Sequence, residues 1–221
     1  EVACASGSAA IRTAWMAIQS GLHETVLVVG CQKMTEMETA EILALMGRVG
    51  EVQWESVFGT TFPGYYAMFA TRHMHEFGTT RDHLLQVAVK NHKHGAKNPK
   101  AQFPGEITMD TVKNAVRVAE PLGLFDCSPV TDGSAAVLLA PVEVARDLGK
   151  PLVTIRGSGH AVDSIALHDR QDPSRIPSVS MAAAKAFDHA GITVRDIDFC
   201  EVHDCFTIAE LCCLEEMGFY E

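Results

Sequence analysis

Two short apolar runs, Thr25 to Cys31 and Ser134 to Ala140, constrain the fold most. Each is almost wholly apolar, and the first is rich in β-branched residues, the pattern of a strand covered on both faces in an α/β sheet. Between them, from Gln32 to about Leu122, the character changes to Met-, His- and Lys-containing helical stretches near 36–47, 65–77, 80–94 and 108–119. Pro63, Pro99 and Pro104 break these stretches, so the segment reads as a helical insertion. Cys127 to Gly133 carries the Pro and Asp-Gly signals of tight turns. A strand at 151–157, a helix at about 178–190, a strand at 197–202 and a helix from about 206 then continue the alternation of α/β architecture. Pro151 marks a boundary between a first unit, 1–147, and a second, 148–221.

Composition narrows the function. The 221 residues are 47% hydrophobic and 21% charged, enough to bury a sizeable core. With 18 basic against 28 acidic residues the net charge is −10, which repels nucleic acids and anionic membrane surfaces. No apolar run approaches the length of a membrane span. The seven cysteines are irregularly spaced and read as thiols in a reducing, cytoplasmic setting rather than a disulfide framework. The chain opens at Glu1-Val-Ala-Cys4, which reads as the continuation of something already under way, so a piece of a longer protein is expected.

Ile11, Ala14, Trp15 and Ile18 follow the helical period, and Gly21 supplies the stop. Ala3, Ala5, Gly7, Ala9 and Ala10 crowd the first turn with small residues, which predicts a deeply buried N-terminal end that something approaches. Cys4 sits where a strand would turn into this helix. Backbone N–H groups there favour a thiolate and can hold the oxyanion formed when it attacks a thioester. The competing reading is an inert core cysteine. His203 and Asp204 fall at a second strand-to-helix junction, where His203 either donates to a substrate oxygen or shuttles a proton, or is tied into local turn bonding.

His73 with His75 and His92 with His94 point to opposite sides of helices, and Cys200, Cys205, Cys212 and Cys213 lack zinc-site spacing, so no metal is assigned. Lys90, Lys93, Lys97 and Lys100 form a local positive block. It is either a seat for an anionic cofactor's phosphates or a solvated helix face.

An ordered set of motifs resembles the thiolases, in particular the branch of sterol-carrier-protein-type thiolases and archaeal or bacterial acetyl-CoA C-acetyltransferases. The set comprises Cys4-Ala-Ser-Gly-Ser-Ala9, Arg72-His-Met74, Asn91-His-Lys-His94 with Asn98-Pro99, Asp126-Cys-Ser-Pro129, Thr131-Asp-Gly133 and Glu201-Val-His-Asp-Cys-Phe206. The resemblance implies a five-layered α/β/α/β/α fold of two similar halves, the first from the nucleophile helix to residue 147 and the second beginning at 148. The insertion at about 32–122 becomes the loop domain over coenzyme A. It further implies that Cys4 becomes acylated and that His203 helps bind the thioester oxygen, while Asp204, Cys205 and Phe206 support that loop. Acyl-CoA thioesters are the implied substrates, with no prosthetic group. The implied reaction is a two-stage Claisen condensation or, in reverse, cleavage of a 3-ketoacyl-CoA.

The family's catalytic His of a Gly-His-Pro motif and its acid/base Cys are expected C-terminal to residue 221, and strands are expected before Cys4. Gly159-His160 lacks the Pro and falls in the wrong order to stand in. The resemblance therefore implies unpaired sheet edges and an open core. It also admits a retro-aldol lyase acting on a CoA ester and a non-catalytic acyl-CoA-binding scaffold. The partners it implies are further copies in a homodimer or tetramer, a small zinc-ribbon and OB-fold protein, and a hydroxymethylglutaryl-CoA synthase.

Overall fold

The structure, a computed structural model, describes residues 2–220. Glu1 and Glu221, the outermost residues of the two expected halves, lie outside the described residues. After a single 3₁₀ turn at Ala3–Ala5 the chain forms α1 (Ser6–Gln19), β1 (Val26–Gln32) and α2 (Thr39–Gly47), then α3 (Phe62–Phe77), α4 (Arg81–Gly95) and α5 (Met109–Lys113). A small hairpin follows, β2 (Arg117–Ala119) and β3 (Leu122–Gly123), then β4 (Gly133–Leu139), α6 (Val142–Asp147), α7 (Pro177–Ala190) and α8 (Thr207–Glu216). The two apolar runs are the two strands of one antiparallel pair, with Val26 opposite Leu139 and Gln32 opposite Gly133.

Several local expectations need correction. The stretch 108–119 is not one helix. Asn114 ends α5, and the β-branched Val116 and Val118, poor helix formers, lie in or beside a strand that pairs with β3. The expected strands at 151–157 and 197–202 are extended without a ladder partner among the described residues, and no strand forms. The β1–β4 pair is not covered on both faces: α1 packs against it, yet Leu27 is 63% and Val29 60% exposed. The N-terminal end of α1 is likewise exposed rather than buried, and Ala14 is the buried residue of that helix.

The expected unpaired edges and open core are present. A compact monomer of 23.9 kDa has an accessible surface of roughly 10,000 Å². This chain exposes 14414 Å². Large apolar side chains such as Leu138, Val153 and Phe199 are exposed, with no covering layer among the described residues.

The main core forms where the inserted helices meet the end of the chain. Ala67, Phe69 and Ala70 of α3, Leu84 of α4, Leu122, Cys205, Phe206 and then Ile208, Ala209 and Cys212 of α8 pack into one buried cluster. His73 ties α3 to α8: it is buried, with Nδ1 2.8 Å from Thr79 Oγ1 and Nε2 2.9 Å from Glu215 Oε2. A smaller cluster of Leu85, Ala88 and Val112 seats α5 under α4. These contacts fix the segment 203–206 against the inserted helices.

A second contact brings the two ends of the chain together. Gly157 and Gly159 run directly along α7, where a Cβ on Gly159 would fall 1.8 Å from the Ala182 carbonyl oxygen, so only glycine permits the approach. Arg12 of α1 donates to the carbonyl of Ser158 at 2.9 Å and to its hydroxyl at 2.8 Å, and the Trp15 and His189 rings meet edge to face. The α1 helix that follows Cys4 is thereby held to the second half of the chain.

Candidate active site

Cys4 lies in the 3₁₀ turn that runs straight into α1, with its side chain exposed. Ala3, just before it, has φ 46°, the left-handed region that costs a residue bearing a Cβ about 1–2 kcal/mol. Such strain is characteristic of functional turns. Ser6 closes the turn, accepting from the Val2 N–H at 2.8 Å and donating to the Ala3 carbonyl at 2.8 Å.

The segment that leads into α8 reaches the same place. His203 faces Cys4, whose influence, opposed by burial and aided by the charge of Asp204, holds the imidazole above its ordinary 6.5. Two sequence-predicted residues 199 positions apart are therefore neighbours. Cys205 is buried, and burial pushes its thiol upward, while the nearby Tyr66 hydroxyl opposes that. The Phe206 ring stacks on Tyr66 at 4.5 Å between centroids, and Tyr66 in turn stacks on Phe69 at 5.7 Å.

The backbone of this loop is pinned by the Asp126-Cys-Ser-Pro129 motif. Ser128 N–H donates to the Cys205 carbonyl at 2.9 Å, and Cys127 forms an antiparallel bridge with Phe206. Asp126, 2% exposed, accepts from Arg81 through both carboxylate oxygens, from the Gly123 N–H at 2.7 Å and from the Thr207 hydroxyl at 2.8 Å. Thr207 is the first residue of α8, so this buried ion pair fixes where the loop ends and the helix begins. Burial, with Asp126 beside it, pushes the Cys127 thiol up to about 12, which makes it a poor nucleophile.

Asp204 is held from α4. Asn91 Nδ2 donates to Asp204 Oδ2 and, at 2.9 Å, to Glu210 Oε2. Burial and the neighbouring Glu210 raise Asp204 above the usual carboxylate range, while Asn91, Lys90 and His203 act the other way. Lys90 pairs with Glu210 at 2.9 Å, and Lys90, Lys93 and Lys97 are all exposed. Asn91 and Asp126 stood in the quoted motifs without an assigned role. Tyr66 and Glu210 carried no signal in the sequence, because each acts through a neighbour that only folding supplies.

No helix is long and apolar enough to cross a membrane among the described residues. With the geometry in place, comparison with known proteins is informative. Residues 1–143 match the thiolase N-terminal domain and 159–221 the thiolase C-terminal domain-like family. An acetyl-CoA acetyltransferase of Methanothermobacter thermautotrophicus is 45% identical over 221 residues, which is 100% of this chain and 57% of that protein. A steroid side-chain-cleaving aldolase of Thermomonospora curvata is 32% identical, over 95% of this chain and 56% of its own length. Among solved structures, the Ltp2-ChsH2(DUF35) aldolase superposes with TM-score 0.85 at 31% identity, covering 97% of this chain and 57% of that one. The α/β architecture is thus that of thiolase-fold proteins, and the chain spans a little over half the length of the relatives it matches. On the match of its first 143 residues and the similarity along its whole length, the chain belongs to the thiolase family.

Proposed function

We propose that the protein containing this chain is an acyl-CoA acyltransferase working through an acyl-enzyme on Cys4. The observation that carries the reading is the meeting of an exposed cysteine on a strained turn at the head of α1 with His203 from the far end of the sequence. In the first stage the Cys4 sulfur attacks the thioester carbonyl of an acyl-CoA, a new carbon–sulfur bond forms, and the coenzyme A thiolate leaves. A protonated His203 beside the sulfur is suited to stabilise the oxyanion that develops on the carbonyl oxygen. In the second stage the enolate of another acyl-CoA attacks the acyl carbon, a carbon–carbon bond forms and Cys4 leaves as thiolate. Thiolytic cleavage of a 3-ketoacyl-CoA is the same path reversed.

Asp204, Cys205 and Phe206 support the His203 loop by the contacts described above. Lys93 and Lys97 are the residues we assign to the phosphates of coenzyme A, with Lys90 tied to Glu210 contributing charge at a distance. We read residues 1–147 and 148–221 as parts of the two thiolase halves and 32–122 as the loop domain. A homodimer or tetramer is the assembly proposed, on the resemblance to thiolases. A zinc-ribbon and OB-fold protein and a hydroxymethylglutaryl-CoA synthase are the further partners proposed, in a reducing cytoplasm.

The test is intact mass of the full-length protein and its Cys4→Ala variant after mixing with acetyl-CoA at neutral pH. An adduct of about +42 Da on the parent alone is expected, an acetyl group replacing a proton. No adduct on the parent while coenzyme A still binds overturns the reading. The similarity to an aldolase at TM-score 0.85 favours, as a second reading, a retro-aldol lyase acting on a CoA ester, and the unacylated result would move weight to it or to a non-catalytic acyl-CoA-binding subunit.

A further inference from the structure

We propose that Asn91, on α4, is the positioning residue that sets where His203 stands beside Cys4, acting through the carboxylate of Asp204. The proposal rests on the acyl-enzyme reading above and deepens it at the same site. The Asn91 carboxamide gives one proton to Asp204 Oδ2 and the other to Glu210 Oε2, but the two acceptors do not depend on it equally. Glu210, 4% exposed, also meets the Lys90 ammonium at 2.9 Å through Oε1 and 3.2 Å through Oε2, so its charge is compensated without Asn91. Asp204 accepts its hydrogen bond from Asn91, and its other oxygen, Oδ1, is buried with no partner among the described residues. A buried carboxylate with one donor loses its place when that donor goes.

The chain on either side shows why this reaches His203. C-terminal to Asp204, the Ser128 N–H, the Tyr66 ring and Asp126 hold Cys205, Phe206 and Thr207 independently of Asn91. His203 is the residue directly before Asp204, so the Asn91 bond anchors the side chain next to it along the chain. The residue type is also constrained. A carboxamide can donate to two carboxylates at once, whereas an aspartate there would face both with a third acceptor.

The experiment uses the full-length protein with Asn91→Asp, Asn91→Ala, and the reciprocal Asn91→Asp/Asp204→Asn pair, which restores the bond with donor and acceptor exchanged. Circular dichroism establishes which variants are folded. The first readout is the pH dependence of Cys4 alkylation by iodoacetamide, followed by peptide mass. The parent is expected to show a step that His203→Ala abolishes, Asn91→Asp to lose that step, and the reciprocal pair to regain it. The second is acetyl transfer, where Asn91→Asp is expected to lower kcat roughly tenfold or more. KM for acetyl-CoA should stay within about twofold, as for an interaction made in the transition state.

Should Asn91→Asp not fold, Asn91→Ala, which removes the donor without adding a charge, carries the same comparisons. The proposal is overturned by a folded Asn91 variant that keeps the parent's alkylation profile, by a folded reciprocal pair that does not regain the step, by a loss confined to KM, or by a parent profile with no His203-dependent step. A parent that forms no acetyl adduct sinks the acyl-enzyme reading instead, and the alkylation profile still decides whether Asn91 governs the His203–Cys4 contact.

Discussion

The imidazole of His203 faces the thiol of Cys4, although His203 precedes α8 and Cys4 precedes α1. Two segments that lead into helices thus converge, and each contributes one polar side chain. The contact favours the charged imidazole, which raises His203 above 6.5. A group raised in the folded protein contributes stability in full below its ordinary value and loses it as pH rises through the raised one. Replacing Cys4 by Ala removes the leading cause, so the His203 titration followed by ring proton NMR should move down in pH. An unchanged or higher midpoint would show that the two side chains are not coupled.

Asp126 offers a sharper stability test. Its carboxylate is buried and satisfied by Arg81, the Gly123 N–H and the Thr207 hydroxyl. Asp126→Ala leaves a mostly buried guanidinium and two other donors without their acceptor, an effect of about 3–5 kcal/mol for a broken buried pair. Urea denaturation of the full-length variant should show that loss as a lower midpoint. A shift worth under about 1 kcal/mol, the scale of a surface ion pair, would mean that water reaches the site.

Gly159→Ala tests the contact between the extended segment and α7. The added Cβ would meet the Ala182 carbonyl oxygen at 1.8 Å, and backbone atoms of a helix cannot yield as a flexible side chain does. The expected destabilisation is at or beyond the upper end of the roughly 1–3 kcal/mol of ordinary overpacking. Thermal melting of full-length parent and variant measures it. An unaltered midpoint would place the segment away from α7.

Much of the local structure is legible in the residues. The apolar runs at 25–31 and 134–140 are strands, and Pro63 stands at the start of α3 as a helix-opening proline does. The failures share a cause. Residues 151–157 and 197–202 have strand composition but no ladder partner among the described residues, and a strand exists only as a pair. Residues 117–119 show the converse, since Arg117-Val-Ala119 left the helical pattern and pairs with β3.

The sequence by itself determined the chemistry at hand: a cysteine ahead of a small-residue helix, a His-Asp-Cys-Phe motif at a second junction, and an ordered set of motifs that resembles one family. Those are covalent facts about neighbours in the chain. Tertiary structure alone decided which of them meet. It put His203 beside Cys4, paired Lys90 with Glu210, and made Asn91 the donor that Asp204 needs. Burial, shared protons and charge repulsion act between atoms in space, and no spacing along a chain encodes those distances before the helices pack.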